Sequence, residues 1–393
     1  MATPSKASRR TREIPPSAIH AMTALSKTID DVAFLSWAKP TSTAPAHIHE
    51  AAIEAIRDGR ADGYSETKGL PALREAIVEK LWRDNGIAAQ PDELIVTVGA
   101  IEGLSDALMA VVDPGDEVIL PTPTYSTHIN QVRMASGIPV FVPTVEEEGF
   151  RLDLDTIRAA ITPRTRAILY CSPSNPTGAV FPEETLRELG HIALENDLVI
   201  ITDEAYEYFT FDGHKHFAIA AIPELRDHVI SCFTFTKNYA MTGWRIGYVH
   251  ASPKWLPQIG KAHICCSICA PVASQYAALA ALGGPQDCIE NSRLAYEAAR
   301  DVMCERLDRL GHVFSYQKPA GSYLMFPKIL LPEGRDSEAF CRKMLLEAKV
   351  SATPGNDFGP TGEGHLRFSF CVPEEMIHRA FDRLEDYFGK GRS

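Results

Sequence analysis

The sequence predicts an α/β protein: a large domain with a mostly parallel seven-stranded sheet between helices, plus a smaller α+β domain formed by the C-terminal part and the N-terminal segment. Three observations predict it. Seven short apolar runs recur between residues 93 and 250, helix-like stretches separate several of them, and after about residue 286 long charged helices flank short strands. Apolar strands alternating with helices need a sheet covered on both faces. A chain of 393 residues is long enough for a large core and two domains.

Taken in order, residues 15–44 are expected to complete the small domain, so 1–44 form an N-terminal arm and part of that domain. Residues 45–285 form the large domain and 286–393 the small C-terminal one. The expected sheet strands are "ELIVTV" (93–98), "DEVILP" (116–121), "IPVFVP" (138–143), "RAILYC" (166–171), "LVIITD" (198–203), "VISCFTF" (229–235) and "RIGYVH" (245–250), with helices such as 101–112 and 183–196 between them. Only residues 236–244 separate the last two strands, too few for a helical crossover, so one of them is expected to run antiparallel. Residues 264–285 carry no charge and are weighed as a membrane span. Ser267, Pro271, Ser274, Gln275 and a Gly-Gly pair make a buried helix with its preceding loop the better reading. Helices at 290–310 and 336–348 and strands at "SYLMFP" (322–327) and "HLRFSF" (365–370) build the small domain.

Composition excludes some functions. A net charge of −12 argues against a nucleic-acid binder, which needs a basic face. Nine scattered cysteines fit a reducing compartment. The Cys266-x-x-Cys269 pair lacks a second pair at ligand spacing. The histidine pairs at 47/49 and 214/216 lack a third ligand and read as solvated, so no metal is expected. The basic N-terminus "MATPSKASRRTR" has no apolar core and is not a secretory signal. The expectation is a cytoplasmic protein that uses neither membrane nor nucleic acid.

In parallel α/β sheets, ligands bind beyond the carboxyl ends of the strands. Gly99-Ala100-Ile101 follows the first strand, and a glycine turn opening a helix presents free N–H groups to an anion. Tyr125 follows the second and reads either as a cover for a flat ring or as a packing tyrosine. Asn175 lies in "SPSNPTG" and reads as an amide donor or as a turn cap. Asp203, followed by Tyr206, reads as a carboxylate partner or as a helix cap. Thr234, Phe235 and Thr236 alternate as a strand does, and that strand is expected to finish on Lys237. Desolvating an ammonium group is costly unless it is paired or neutralised. Together these groups suit one ligand, a planar phosphorylated pyridine bearing an aldehyde. Lysine would form a Schiff base with it, aspartate would pair with the ring nitrogen, and Arg245 with the threonines would bind the phosphate.

In order and spacing, "YSETKGLPALREAI" (64–77), "VTVGA" (96–100), "PTPTY" (121–125), "SPSNPTGAV" (172–180), "TDEAYE" (202–207), "TFTKNYAMTGWRIGY" (234–248), "PGNDFG" (354–359) and "HLRFSF" (365–370) carry a wider likeness. From about Pro15 onward the chain resembles the class I pyridoxal-phosphate-dependent aminotransferases of fold type I, the aspartate aminotransferase superfamily. The resemblance implies pyridoxal 5′-phosphate as cofactor and a ping-pong transfer of the amino group of an L-amino acid to a 2-oxo acid. It implies that Lys237 is the Schiff-base lysine and proton carrier, with Asp203 on the pyridine nitrogen. Asn175 and Tyr206 would bond the phenolic oxygen, and Tyr125 would stack on the ring. The Gly99 turn with Ala100 and Ile101, Thr234 and Arg245 would cradle the phosphate. Arg367 would fork onto the substrate carboxylate, with Trp37, Ala38 and Asn175 beside it. Tyr64 would reach the phosphate of a neighbouring subunit, which implies a homodimer with shared sites. The Thr122-Pro123 and Asn175-Pro176 bonds are expected to be cis.

Departures from the family pattern include "SWAKP" (36–40) in place of a "G-x-G-E-P" stretch, Ile101 where aspartate-type members often carry lysine, and Thr234 in place of serine. Ile101 weighs against a dicarboxylate substrate, Thr234 keeps the hydroxyl, and the altered "SWAKP" stretch leaves room for an alternative on the same fold, an amino-acid oxidase (for example of arginine) or a β-eliminating lyase. A non-enzymatic DNA-binding regulator is a third expectation, disfavoured because only about 14 residues precede the matched region.

Overall fold

A computed structural model describes residues 6–389. Residues 1–5 of the basic N-terminus and 390–393 at the other end, which were assigned to the two outer segments, lie outside the described residues. Helix Ala18–Ser26 is capped by the Ser17 hydroxyl, which accepts from the His20 N–H. The following strand, β1 (Ala33–Phe34), does not join the main sheet and pairs in parallel with Val350–Ser351.

The main sheet has seven strands: β2 (Leu94–Thr97), β3 (Glu117–Thr122), β4 (Ile138–Pro143), β5 (Thr165–Cys171), β6 (Val199–Asp203), β7 (Val229–Thr234) and β8 (Gly247–Ala251). Their spatial order is β2-β8-β7-β6-β5-β3-β4. Every pairing is parallel except those of β8, which runs antiparallel to both β7 and β2. The connection from β7 to β8 holds one short helix and cannot cross the sheet, as expected. Two antiparallel pairings in succession leave β2 pointing the same way as β7. The carboxyl ends of β2, β3, β5, β6 and β7 therefore share one edge. The chain leaves β3 toward β4 on one side and returns with β5 on the other, so a crevice opens between their carboxyl ends.

Alternation along each strand divides the core. Val118, Leu120, Ala167, Leu169 and Ile201 pack on one face with helices Gly99–Val111 and Leu256–Cys266. Their neighbours Ile119, Ile168 and Ile200 pack on the other with helix Glu183–Glu195. That is the two-residue period of a pleated strand with both faces covered. A separate core joins Met22, Val32 and Leu35 to Met303, Phe340, Phe368 and Phe381.

Three details differ from the sequence reading. The strand leading to Lys237 ends at Thr234, and Lys237 sits in a one-turn helix, Phe235–Asn238. The Thr234 hydroxyl caps that turn by accepting from the Thr236 N–H at 3.1 Å, so the alternation of threonines marks a cap rather than a strand. Arg245 precedes β8 instead of lying on it, with φ +50°. His216 is not solvated, because its buried ring meets Glu204 at 2.8 Å. The Thr122-Pro123 and Asn175-Pro176 bonds are cis, and so is Ser172-Pro173. Among the described residues no helix is long and apolar enough to cross a membrane. The uncharged 264–285 stretch is the end of one helix, a connection and helix Val272–Gly283.

Candidate active site

The shared carboxyl edge borders a cavity of about 360 Å³. Asp203 ends β6 and is buried; its Oδ1 accepts from the Ala205 N–H at 3.1 Å. Its Oδ2 lies 3.0 Å from Nε2 of His128, whose ring is wholly enclosed, and Nδ1 of that ring lies 3.3 Å from the Thr124 hydroxyl. The Tyr125 ring stands edge-on to His128, with centroids 5.4 Å apart. His128 escaped the sequence reading. Its only signal was a histidine three residues past Tyr125, on the helix that starts at the same strand end.

Asn175, beyond β5, is buried and its Oδ1 accepts from Nη1 of Arg367 at 3.0 Å. Nη2 of Arg367 donates to the Ser36 carbonyl at 3.0 Å and to the Thr353 hydroxyl at 3.3 Å, while its buried Nε has no partner. Burial disfavours the charged form and lowers the Arg367 pKa. The Tyr206 phenol is pushed well above its ordinary range, chiefly by burial.

Lys237 borders the cavity half-buried, enclosed by protein on its other sides. Its ammonium group donates to the Ala38 carbonyl at 2.8 Å, and the Tyr323 hydroxyl donates to that same carbonyl at 3.1 Å. Burial first, then the positive charges of Arg367 and Arg245, bring the Lys237 pKa down to about 8. The lysine is thus poised near neutrality, where an amine serves as nucleophile and proton carrier.

Where β2 and β7 meet the cavity, it suits an anion. Gly99 (φ +76°) opens helix Gly99–Val111, leaving the first-turn N–H groups of Ala100 and Ile101 outside the helical ladder. Its left-handed conformation favours glycine, and Nη2 of Arg245 lies 2.6 Å from where a Cβ would stand. Arg245 donates to the Thr236 hydroxyl at 3.5 Å, and Thr236 accepts from Thr234 at 2.8 Å.

Of the residues expected from sequence, Trp37, Ala38, Ala100, Ile101, Tyr125, Asn175, Asp203, Tyr206, Thr234, Lys237, Arg245 and Arg367 line this one cavity. Gly99 is not among the lining residues and opens the helix that carries Ala100 and Ile101. Tyr64 does not join it and is 81% exposed. Helix Ala18–Ser26 adds Ile19, His20 and Thr23, which carried no sequence signal. Trp37, 37% exposed at the mouth, donates from Nε1 to the Thr23 hydroxyl at 3.2 Å.

Residues 35–384 match the family model of class I and II aminotransferases. The chain is 38% identical to an aspartate aminotransferase of Pyrococcus abyssi, covering 95% of each. It is 36% identical to aromatic-amino-acid aminotransferase 2 of Thermococcus litoralis, over 96% of this chain and 97% of that one. Among solved structures, the aspartate aminotransferase of Thermus thermophilus with maleate superposes with a TM-score of 0.91 at 35% identity, covering 98% of this chain and all of the other.

Proposed function

The chain belongs to the class I and II aminotransferases and moves the amino group of an L-amino acid to a 2-oxo acid; we propose that it does so with pyridoxal 5′-phosphate held in this cavity by Lys237. Two features support the fit: a left-handed glycine opens the helix of the phosphate cradle beside the Arg245 guanidinium, and the buried Nε of Arg367, still lacking an acceptor, is left for the substrate carboxylate. Lys237 Nζ would hold the aldehyde. Asp203, oriented by His128, would face the ring nitrogen, Tyr125 would stack, and Asn175 and Tyr206 would meet the phenolic oxygen. The N–H groups of Ala100 and Ile101, with Thr234 and Arg245, would take the phosphate. When bound, the cofactor's protonated ring accepts the electron pair left as the substrate Cα–H bond breaks. Lys237 Nζ carries the proton at Cα, and Arg367 forks onto the α-carboxylate with Nε and Nη, aligned by Asn175 and the Ser36 carbonyl.

The observation that carries this reading is the placement of Lys237, its pKa brought to about 8, one turn past the strand that adjoins Asp203's strand. Adding amino acids without oxygen should convert the visible absorbance of the holoprotein to that of the pyridoxamine form, and 2-oxo acids should restore it. Consumption of oxygen with no need for a 2-oxo acid would refute the reading in favour of an oxidase. The relatives reported above are named aminotransferases, so the oxidase and lyase alternative is set aside.

An apolar or aromatic substrate side chain is supported by Ile19, Trp37, Ile101 and Leu104, which line the cavity. We assign Tyr64 to the site of a second copy in a homodimer, and its exposure favours that role. The division at 44/45 and 285/286 is likewise proposed, supported by the core that residues 22–35 share with residues 296–384, into which Cys171 and residues 205–211 of the large domain also pack. A cytoplasmic location is proposed from the nine cysteines, all free.

A further inference from the structure

Beneath the phosphate cradle lies a charged group that the reaction does not use. Glu102, in the first turn of helix Gly99–Val111, accepts from the Val98 N–H through Oε2 and from the Ser267 hydroxyl through Oε1. Asp106 follows one turn later and is fully buried, with neither oxygen hydrogen-bonded. Across from both, on helix Leu256–Cys266, stands His263, also fully buried. Its Nδ1 lies 3.1 Å from Glu102 Oε1 and 3.6 Å from Asp106 Oδ2; its Nε2 lies 3.1 Å from the Thr67 carbonyl.

Around its two nitrogens stand the Glu102 and Asp106 carboxylates, the Thr67 carbonyl and, 3.3 Å from Nδ1, the Ser267 hydroxyl, whose hydrogen is given to Glu102. A carbonyl oxygen can only accept, so Nε2 carries a hydrogen. An unprotonated Nδ1 would set its lone pair against the Glu102 oxygen, so Nδ1 carries one too. The ring is therefore an imidazolium. A carboxylate at the first turn of an anion-binding helix opposes the very anion that turn attracts. From this geometry we propose that His263 is the counter-ion that neutralises Glu102 beneath the cradle, so that the bound phosphate does not meet its negative charge. The proposal rests on the reading that the cavity takes a phosphorylated cofactor.

The titratable groups around His263 agree in direction. Burial works against its charged form, but the facing carboxylates of Asp106 and Glu102 outweigh this and lift its pKa to about 9. Burial also raises Glu102, and the hydrogen bonds from His263, Ser267 and the Val98 N–H outweigh it and leave that carboxyl low. Burial raises Asp106. Cys266 on the same helix and Cys232 on β7, the remaining titratable neighbours, are thiols held protonated, chiefly by burial. With a raised histidine, the counter-charge is complete below about pH 6.5 and is lost as pH rises through about 9.

The test is the dissociation constant of full-length protein for pyridoxal phosphate, by equilibrium dialysis. His263→Gln should weaken binding about tenfold, the size of one lost close counter-charge. Glu102→Gln alone should bind at least as tightly as wild type. The double variant should return to within about threefold of wild type, because the unpaired charge leaves with its partner. Wild-type affinity should fall as pH passes about 9, and the double variant should lose that dependence. If His263→Gln binds as wild type does, or the double variant is as weak as the single one, the counter-ion role is wrong. Wild type that fails to bind the cofactor at all would instead refute the functional reading. The three donors lie within 4.8 Å of one another. One zinc ion retained by wild type and lost in Asp106→Asn would also overturn the proposal, since Nδ1 would then hold metal and no proton.

Discussion

On the floor of the cavity, Asp203 and Thr234 end adjacent strands, Asn175 follows the next strand over, and all three are buried. At the mouth, Ile19 stands on an N-terminal helix, Trp37 on a loop and Ile101 on the first turn of another helix, half-buried or exposed. The floor is fixed by parallel ladders whose register sets each strand end against the next. The mouth is fixed by a few contacts, such as Trp37 to Thr23. Groups that make and break bonds need positions held to fractions of an ångström, and a strand edge supplies them. Groups that select a side chain tolerate looser placement, so substitutions should do less damage from floor to mouth.

The largest effect is expected at Lys237. Lys237→Ala should lower turnover about 10³-fold or more, the upper range for loss of a proton-carrying group, while thermal unfolding stays within a few degrees of wild type. Substantial remaining activity would break the contrast at its centre. Next comes Arg367, which enters the floor from the other core. Arg367→Ala removes two charge-assisted hydrogen bonds to the substrate carboxylate and should reduce kcat/KM about 100-fold, mostly through KM. An unchanged KM would move carboxylate binding elsewhere.

The two residues are also coupled through charge. Only the unprotonated amine of Lys237 can capture the cofactor's aldehyde. Burial and the neighbouring arginines bring its pKa to about 8. Capture by the cofactor-free protein should therefore rise about tenfold per unit as pH climbs toward 8, then level off. In Arg367→Ala the midpoint should move upward, because one of the charges that lowers it is gone. Stopped-flow absorbance at a series of pH values checks both, and an unmoved midpoint would mean that burial alone tunes the amine.

Most of the floor was legible in the sequence, because each group directly follows an apolar run and the parallel sheet gathers those ends on one edge. Some features were illegible for physical reasons. Lys237 and Arg245 sit off the strands because Thr234 caps a helical turn and Arg245 adopts a positive φ, and neither leaves a mark in hydrophobic alternation. His128 reads as an ordinary helical histidine until β3 and β6 are brought together on either side of β5. His263 and Glu102 lie 161 residues apart, and only the packing of two helices makes them a pair. The mouth was legible only in part: Trp37 and Ile101 stand in or beside motifs, whereas Ile19 comes from a helix whose sequence shows no chemistry.

His128 sharpens the comparison from beneath the floor. It touches Asp203 and stands edge-on to Tyr125, and reaches the reacting atoms only through them. His128→Ala should lower kcat about tenfold, the worth of one hydrogen bond to a buried carboxylate, with KM nearly unchanged. His128→Asn, which can still donate, should recover part of the loss. A fall equal to that of Lys237→Ala would mean that the ring itself takes part in the chemistry.

The smallest effect belongs to the mouth. Ile101 is 45% exposed, so a charge placed there is bathed in solvent and weakened by it. Ile101→Lys should raise the preference for aspartate over phenylalanine, as the ratio of kcat/KM values, by only about threefold to tenfold at low salt. Because the new attraction acts through water, added salt should erase most of it. Turnover on the best substrate should change little, since no floor residue depends on the Ile101 side chain. If the switch in preference were large and insensitive to salt, the mouth would be as enclosed as the floor. The two regions would then differ in chemistry but not in how tightly the fold holds them.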